Sequence, residues 1–158
     1  MIKKVVLCDM DGVIADFTGG ILKLNSLLTM TPENYDLEED EVNNIVLNTP
    51  LFFQTLPPLG NGIDAVKELM EYYDVHFCST PMDSVLHSYS GKKQWLNDHF
   101  GDKAHKKLIL THRKDWVIGD YLIDDRTKNG AGEFTGEHIH FGTDKFPNWE
   151  VVLKYLIK

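Results

Sequence analysis

The fold of this chain is decided by the stretch Val5-Val6-Leu7-Cys8-Asp9-Met10-Asp11-Gly12-Val13. A short apolar run, rich in β-branched residues, that ends in acidic residues and glycine is typical of a buried parallel strand followed by a tight loop. In open α/β sheets the chemistry lies at the carboxyl ends of the strands. The stretch therefore predicts a parallel sheet with two carboxylates at its functional edge.

Two neighbouring carboxylates oppose each other's ionisation, and a bound Mg²⁺ would relieve that repulsion and prepare a site for phosphoryl transfer. An Asp-x-Asp-Gly string also occurs in calcium loops and in ordinary turns. The EF-hand alternative fails here, because position twelve counted from Asp9 is Gly20, and Val13 and Phe17 occupy ligand positions. An ordinary turn remains open at this point.

The composition limits the classes of protein to consider. The chain has 158 residues, 42% of them hydrophobic, which suits one compact domain with a small insertion. Its formal charge of −8 argues against binding a nucleic acid polymer or a membrane surface. No apolar run has the length of a membrane span or a secretory signal, and Cys8 and Cys78 are expected to be buried free thiols, so we predict a cytoplasmic protein.

Strand-like and helix-like segments alternate along most of the chain. Strands are predicted at residues 2–8, 74–78, 107–110, 121–123 and 137–141. Helices are predicted at residues 16–28, from Thr31-Pro32 onward, and at 38–48, 61–73, 89–100 and 149–156. This alternation indicates an α/β fold with a parallel, doubly wound sheet.

One segment interrupts the alternation. Residues 18–57 contain predicted helices alone, and they follow directly after the first acidic strand end. We expect them to form a small helical cap that excludes water and selects a substrate. The remaining residues, 1–17 and 58–158, are expected to form the α/β core domain.

Three further elements follow predicted strands and carry chemically useful side chains. Ser79 and Thr80 follow the second strand, where the hydroxyl of Ser79 and the backbone N–H of Thr80 can donate to a phosphate oxygen. Lys114 follows the third strand and can neutralise a phosphoryl group. Asp124 and Asp125 end the fourth strand, which suggests metal ligation. Each element alone also fits an ordinary turn, a helix cap or a solvated side chain.

Other polar residues are expected to have no role in such a site. Lys92, Lys93 and Arg113 fit the pattern of solvated cations. His138 and His140 share one strand face, but no Cys or third His accompanies them, so a packing or surface role is expected rather than a metal site.

The order of the four elements, each after a predicted strand, resembles the haloacid dehalogenase (HAD) superfamily of phosphohydrolases. The resemblance covers nearly the whole chain. It implies a HAD-like Rossmannoid three-layer α/β/α fold with a parallel central sheet and a small helical cap inserted after strand 1. Asp11 favours phosphoryl transfer over dehalogenation, since a halide leaving group needs no proton.

A narrower resemblance is to the 5′(3′)-deoxyribonucleotidases. It is carried by five segments, namely residues 9–17, Phe52-Phe53, Leu56-Pro57-Pro58, residues 78–81 and residues 122–126. Mammalian members usually have Thr-Ser where this chain has Ser79-Thr80, and either hydroxyl can bind phosphate.

That resemblance implies roles for individual residues. Asp9 would be the nucleophile that forms an aspartyl-phosphate, and Asp11 would be the general acid and base. Ser79, Thr80 and Lys114 would hold the phosphate. Mg²⁺ would be held by Asp9, Asp125 and the backbone carbonyl of Asp11, with Asp124 in the outer shell, and the substrate base would contact Phe17, Phe52 and Phe53.

We therefore predict a Mg²⁺-dependent phosphomonoesterase, a monomer or homodimer, that hydrolyses (deoxy)ribonucleoside monophosphates. One alternative is a phosphatase for another small metabolite such as a sugar phosphate, and a phosphomutase also needs the same acid and base. A non-enzymatic alternative is a phosphate-responsive binding module like a receiver domain, although in those modules the phosphoacceptor Asp follows a middle strand.

Overall fold

The computed structural model describes residues 1–158 and consists of five strands and five α-helices. The strands are β1 (Val5–Cys8), β2 (Asp74–Ser79), β3 (Leu108–Leu110), β4 (Tyr121–Asp124) and β5 (Glu137–His140). The helices are α1 (Phe17–Leu24), α2 (Tyr35–Leu47), α3 (Gly62–Tyr72), α4 (Leu86–Phe100) and α5 (Trp149–Leu156). Short 3₁₀ helices lie at Gly101–Ala104, Lys114–Trp116 and Ala131–Glu133. None of the helices is long and apolar enough to cross a bilayer.

All five strands are parallel and form one sheet in the order β3-β2-β1-β4-β5. The first strand is therefore the central one, and Cys8 at its end lies opposite Phe77 of β2 and Ile123 of β4. The predicted parallel α/β architecture is confirmed.

The two faces of the sheet are covered unequally. One face packs against α3, α4 and α5 through a core cluster of 28 buried residues that includes Val6, Phe77 and Trp95. The other face carries a cluster of only 5 buried residues, including Leu7 and Leu122, under the turn at Ala131–Glu133. Cys8 and Cys78 belong to opposite clusters and are both buried free thiols, as predicted.

The prediction of a helix beginning at Thr31-Pro32 is wrong, whereas the helix predicted at residues 38–48 is confirmed as α2, which begins three residues earlier and ends one residue earlier. Residues 31–34 form a turn, and a single helix, α2, begins at Tyr35. The carboxylate of Glu38 accepts bonds from the backbone N–H groups of Thr29 and Met30, at 2.7 and 2.9 Å. This local bonding holds the chain before α2 in a turn, so Thr31 does not cap a helix.

The two ends of the segment at residues 18–57 lie side by side. Ala15 and Pro58 form an isolated antiparallel bridge. The N–H of Asp16 donates to the carbonyl of Pro57, and the N–H of Leu59 donates to the carbonyl of Ile14, both at 2.8 Å. The segment that contains α1 and α2 thus begins just after the carboxyl end of β1 and ends beside the same place.

Candidate active site

The strand order brings the polar ends of three strands together. Since β1 lies between β2 and β4, the residues that follow or end them, Asp9, Ser79 and Asp124, meet at one edge of the sheet. Lys114, in the 3₁₀ helix after β3, reaches the same place. The residues that the sequence analysis assigned to phosphate and metal binding are thus neighbours in the structure.

Three carboxylates lie together at this edge, and one ammonium group contacts two of them. Asp9, Asp124 and Asp125 each offer an oxygen, and these oxygens lie within 4.8 Å of one another. The Lys114 Nζ is 2.5 Å from Asp124 Oδ2 and 3.2 Å from Asp9 Oδ1. With all four groups ionised, the cluster carries an excess of negative charge that a divalent cation would balance.

Burial and mutual repulsion oppose the ionisation of the acidic groups. The pKa of Asp125 is raised to about 8 by burial and then by the charges of Asp9 and Asp124. Burial also raises the pKa of Asp9, while Lys114 counteracts that shift. Burial opposes the charge of Lys114 itself, but Asp9 and Asp124 raise its pKa above the ordinary lysine value.

The oxygens of this cluster fit a metal ion. Asp125 Oδ1 is buried and has no hydrogen-bond partner. Both oxygens of Asp124 are engaged, one by Lys114 and the other by the backbone N–H of Arg126 at 2.9 Å. An unpaired buried carboxylate oxygen beside a second acid is the donor set that hard divalent cations use.

Glycine is required where the first loop meets this cluster. Gly12 has φ +77°, and a Cβ at this position would overlap Asp125 Oδ2. A side chain at Gly12 would therefore displace one of the candidate metal ligands.

Two histidines brace the loop that carries Asp124 and Asp125. The rings of His138 and His140 stack with centroids 5.0 Å apart on β5. Their Nε2 atoms lie 3.1 Å from the backbone carbonyl oxygens of Asp124 and Asp125, respectively. The two histidines pack against each other, as expected. Their contacts with the carbonyl groups of Asp124 and Asp125 were not predicted, because they form only when β5 pairs with β4.

The end of β2 offers a buried donor. Ser79 Oγ is buried and has no hydrogen-bond partner in the protein, so its O–H is free to donate to a phosphate oxygen. The hydroxyl of Thr80 instead donates to the carbonyl of Thr111 at 2.8 Å, which ties the end of β2 to the chain after β3.

Asp11 is not one of the three clustered carboxylates, and its partner is Lys92, a lysine expected from the sequence to be solvated. Lys92 on α4 is 1% exposed rather than solvated, and its Nζ is 2.6 Å from Asp11 Oδ2. Its helical spacing could have revealed this burial, because positions 92, 95, 96 and 100 form one stripe and the other three are apolar. Lys93 and Arg113 are exposed, as expected.

The three phenylalanines predicted to contact a substrate base form one aromatic cluster. Phe17 packs against Phe52 and Phe53, with ring centroids 5.4 and 6.1 Å away. Phe17 lines the cavity beside Asp9, whereas Phe52 and Phe53 are buried behind it and are not among the lining residues.

The cavity over the site has a volume of about 460 Å³, within the range of small-molecule sites. Its floor is formed by the strand ends described above, and one wall is formed by residues of α1 and α2, including Thr18, Tyr35, Glu39 and Asn43. Most of the lining is polar, which suits a charged, hydrogen-bonding ligand better than an apolar one.

Comparisons with known proteins agree with this geometry. Residues 3–148 match the model of the family described as 5′ nucleotidase, deoxy (pyrimidine), cytosolic type C protein. A Vibrio phage KVP40 protein assigned as a 5′(3′)-deoxyribonucleotidase is 43% identical, over 98% of this chain and 85% of its own. The cytosolic-type 5′(3′)-deoxyribonucleotidase of Homo sapiens is 34% identical, over 86% of this chain and 78% of its own.

Solved structures support the fold. A HAD hydrolase of Bacillus subtilis, YfnB, solved with magnesium bound, superposes with a TM-score of 0.67 at 10% identity, over all of both chains. A Streptococcus pneumoniae hydrolase superposes with a TM-score of 0.52 at 10% identity, also over all of both chains. The predicted HAD-like fold and the predicted phosphoric monoester hydrolase class are confirmed, and the binding-module alternative is not favoured.

Proposed function

Since the chain belongs to the family of cytosolic type C 5′ nucleotidases, deoxy (pyrimidine), we propose that it hydrolyses deoxyribonucleoside monophosphates by a two-step, Mg²⁺-dependent reaction at Asp9. The observation that carries the proposal is the convergence of Asp9, Ser79, Lys114 and Asp125 at the central edge of the sheet, under a cavity of suitable size.

In the first step, an oxygen of Asp9 attacks phosphorus and the bond to the nucleoside oxygen breaks. Asp11 gives its proton to that leaving oxygen. In the second step, Asp11 removes a proton from water, the water oxygen bonds to phosphorus, and the bond between Asp9 and phosphorus breaks. Phosphate leaves, Asp9 is again a free carboxylate, and Asp11 again carries the proton that it needs for the next turnover.

The remaining residues bind and stabilise the transferring group. Ser79 Oγ, the N–H of Thr80 and the Lys114 ammonium are proposed to hold the phosphoryl oxygens, and Lys114 is already fixed by Asp124. Asp9, Asp125 and the backbone carbonyl of Asp11 would hold Mg²⁺, with Asp124 behind them. The ion would offset the negative charge of the phosphate when bound.

We further propose that residues 18–57 act as a cap over the site and that Phe17 stacks on the nucleobase, with Phe52 and Phe53 supporting it. Buried free thiols at Cys8 and Cys78 agree with a reducing, cytoplasmic location.

The test is phosphate release from a panel of deoxyribo- and ribonucleoside monophosphates and sugar phosphates, with Mg²⁺ and with EDTA. We expect Mg²⁺-dependent turnover of deoxynucleotides that falls by roughly 10³-fold or more in Asp9→Asn. Asp64→Asn, at an exposed position of α3, is the matched control and should keep wild-type activity. Activity confined to sugar phosphates would overturn the substrate class, and full activity in Asp9→Asn would overturn the mechanism.

A further inference from the structure

We propose that Lys92 is a positioning residue for the reaction, acting through Asp11. This inference rests on the proposed function, since it assigns Asp11 the role of the proton donor. The Nζ of Lys92 is 2.6 Å from Asp11 Oδ2, and the Lys92 side chain is 1% exposed.

A buried ammonium needs a partner, and the structure gives it one carboxylate. Asp11 is the only acidic side chain within 4.0 Å of Lys92 Nζ. Lys114 serves the other acids of the site in the same way, by contacting Asp9 and Asp124. The site therefore has two buried lysines with separate tasks, one beside the nucleophile and metal ligands and one beside Asp11.

The packing of α4 holds Lys92 beside Asp11. Gly91 allows the helix to approach Phe53 closely, since a Cβ at position 91 would lie 2.8 Å from Phe53 Cβ. The Lys92 Nζ in turn lies 4.8 Å from the centroid of the Phe53 ring. A carboxylate on one side and an aromatic face on the other fix the ammonium, which is a costly arrangement for a lysine without a function.

The charge of Lys92 favours the first step of the proposed reaction. When Asp11 gives its proton to the leaving oxygen, its carboxyl group changes from neutral to negative. A fixed ammonium at 2.6 Å stabilises that developing charge and holds the donating carboxyl in place. The benefit should be large when the leaving group is a strongly basic alkoxide, and small when it is a weakly basic phenolate that departs without a proton.

This dependence on the leaving group supplies the experiment. The value of kcat/KM includes only the steps up to departure of the leaving group, so it isolates the proton donation. We expect Lys92→Met to lower kcat/KM for a deoxynucleoside monophosphate by about 10²-fold, and to lower it for p-nitrophenyl phosphate by less than about 3-fold. Lys93→Met, at the exposed neighbouring lysine that bonds Asn97, is the matched control and should change neither value.

A second comparison tests whether Lys92 acts through Asp11. In an Asp11→Asn background, adding Lys92→Met should cause no further loss in the residual kcat/KM for the deoxynucleoside monophosphate. Lys92→Gln, which keeps a polar group of similar length, should repeat the leaving-group pattern if Lys92→Met folds poorly, and thermal unfolding identifies that case.

Equal losses on both substrates would overturn the assignment, because they indicate a general structural or phosphate-binding role. A further loss in the Asp11→Asn background, or no loss at all in Lys92→Met, would overturn it as well. These results leave the proposed function intact. Failure of the wild-type protein to hydrolyse any nucleoside monophosphate would instead overturn the proposed function, and the Lys92 assignment with it.

Discussion

The guanidinium of Arg126 lies over the ring of Tyr35, 4.6 Å from its centroid, and joins α2 to the loop that follows Asp124 and Asp125. Arg126 also lies within 3.4 Å of the Tyr35 hydroxyl, and Lys128 Nζ lies 5.1 Å from the same ring. One aromatic side chain of the proposed cap is thus held by two cations of the core, at the rim of the cavity.

Tyr35→Ala should loosen this contact and weaken substrate binding. Cation–π contacts contribute about 0.5–2 kcal/mol, so we expect KM for a deoxynucleotide to rise by roughly 2- to 30-fold with a smaller change in kcat. Steady-state kinetics measures both constants. Tyr72→Ala, at an exposed tyrosine of α3, is the matched control and should leave KM unchanged. An unchanged KM in Tyr35→Ala would argue against a cap held by Tyr35.

Much of this site could be predicted from the sequence because each key residue follows a strand. The apolar runs that end at Asp9, Ser79 and Asp124 mark strands that are buried in a parallel sheet, and the carboxyl ends of such strands share an edge. Lys114 depends on a turn after a strand of only three residues, and its approach to Asp9 follows from the strand order rather than from any local pattern.

Other features depend on contacts between distant parts of the chain. The role of His138 and His140 appears only when β5 pairs with β4, and the pairing of Lys92 with Asp11 joins residues 81 positions apart. The 3₁₀ helix at Ala131–Glu133, which covers the smaller core cluster, was also not predicted, because a helix of three residues is too short to show a hydrophobic periodicity. The turn before α2 resembles a helix start in sequence, because Thr is a common N-cap residue and Pro is common at the first helical position. In the structure, the Glu38 carboxylate bonds the backbone before the helix and holds it in a turn.

Asp125→Asn should stabilise the metal-free protein while weakening its response to Mg²⁺. The Asp125 carboxyl has a pKa of about 8 in the folded protein against an ordinary value of 3.8. The folded state therefore binds more protons than the unfolded state between about pH 4 and pH 8, and stability falls as the pH rises through that window. Asparagine removes this dependence.

Thermal unfolding in EDTA at pH 5 and pH 8 measures the effect. We expect the midpoint of Asp125→Asn to exceed that of the wild type at pH 8 by more than at pH 5, with about 2–4 °C for each kcal/mol gained. Added Mg²⁺ should raise the wild-type midpoint but not that of the variant. A variant that is less stable than the wild type at pH 8 in EDTA would contradict this account of the carboxylate cluster.

Gly12→Ala should abolish activity, and backbone strain alone should not account for that loss. An alanine at φ +77° costs about 1–2 kcal/mol, and its Cβ would also overlap the Asp125 carboxylate. Gly142→Ala is the matched control, because φ is +86° there and the added Cβ meets nothing within 4 Å. Gly142→Ala measures the effect of backbone strain alone, and only Gly12→Ala should lose Mg²⁺-dependent phosphate release. Equal activity in the two would mean that Gly12 serves the turn alone.

Phe17→Leu should separate recognition of the base from recognition of the phosphate. Leucine keeps apolar contact with Phe52 and Phe53 but removes the aromatic face that lines the cavity. Stacking on a base contributes about 1–3 kcal/mol, so kcat/KM for a deoxynucleoside monophosphate should fall by roughly 5- to 160-fold. Deoxyribose 5-phosphate, which has no base, is the matched control, and its slower turnover should be unaffected by the substitution. If both substrates lose activity to the same extent, Phe17 supports the cavity wall and does not contact the base.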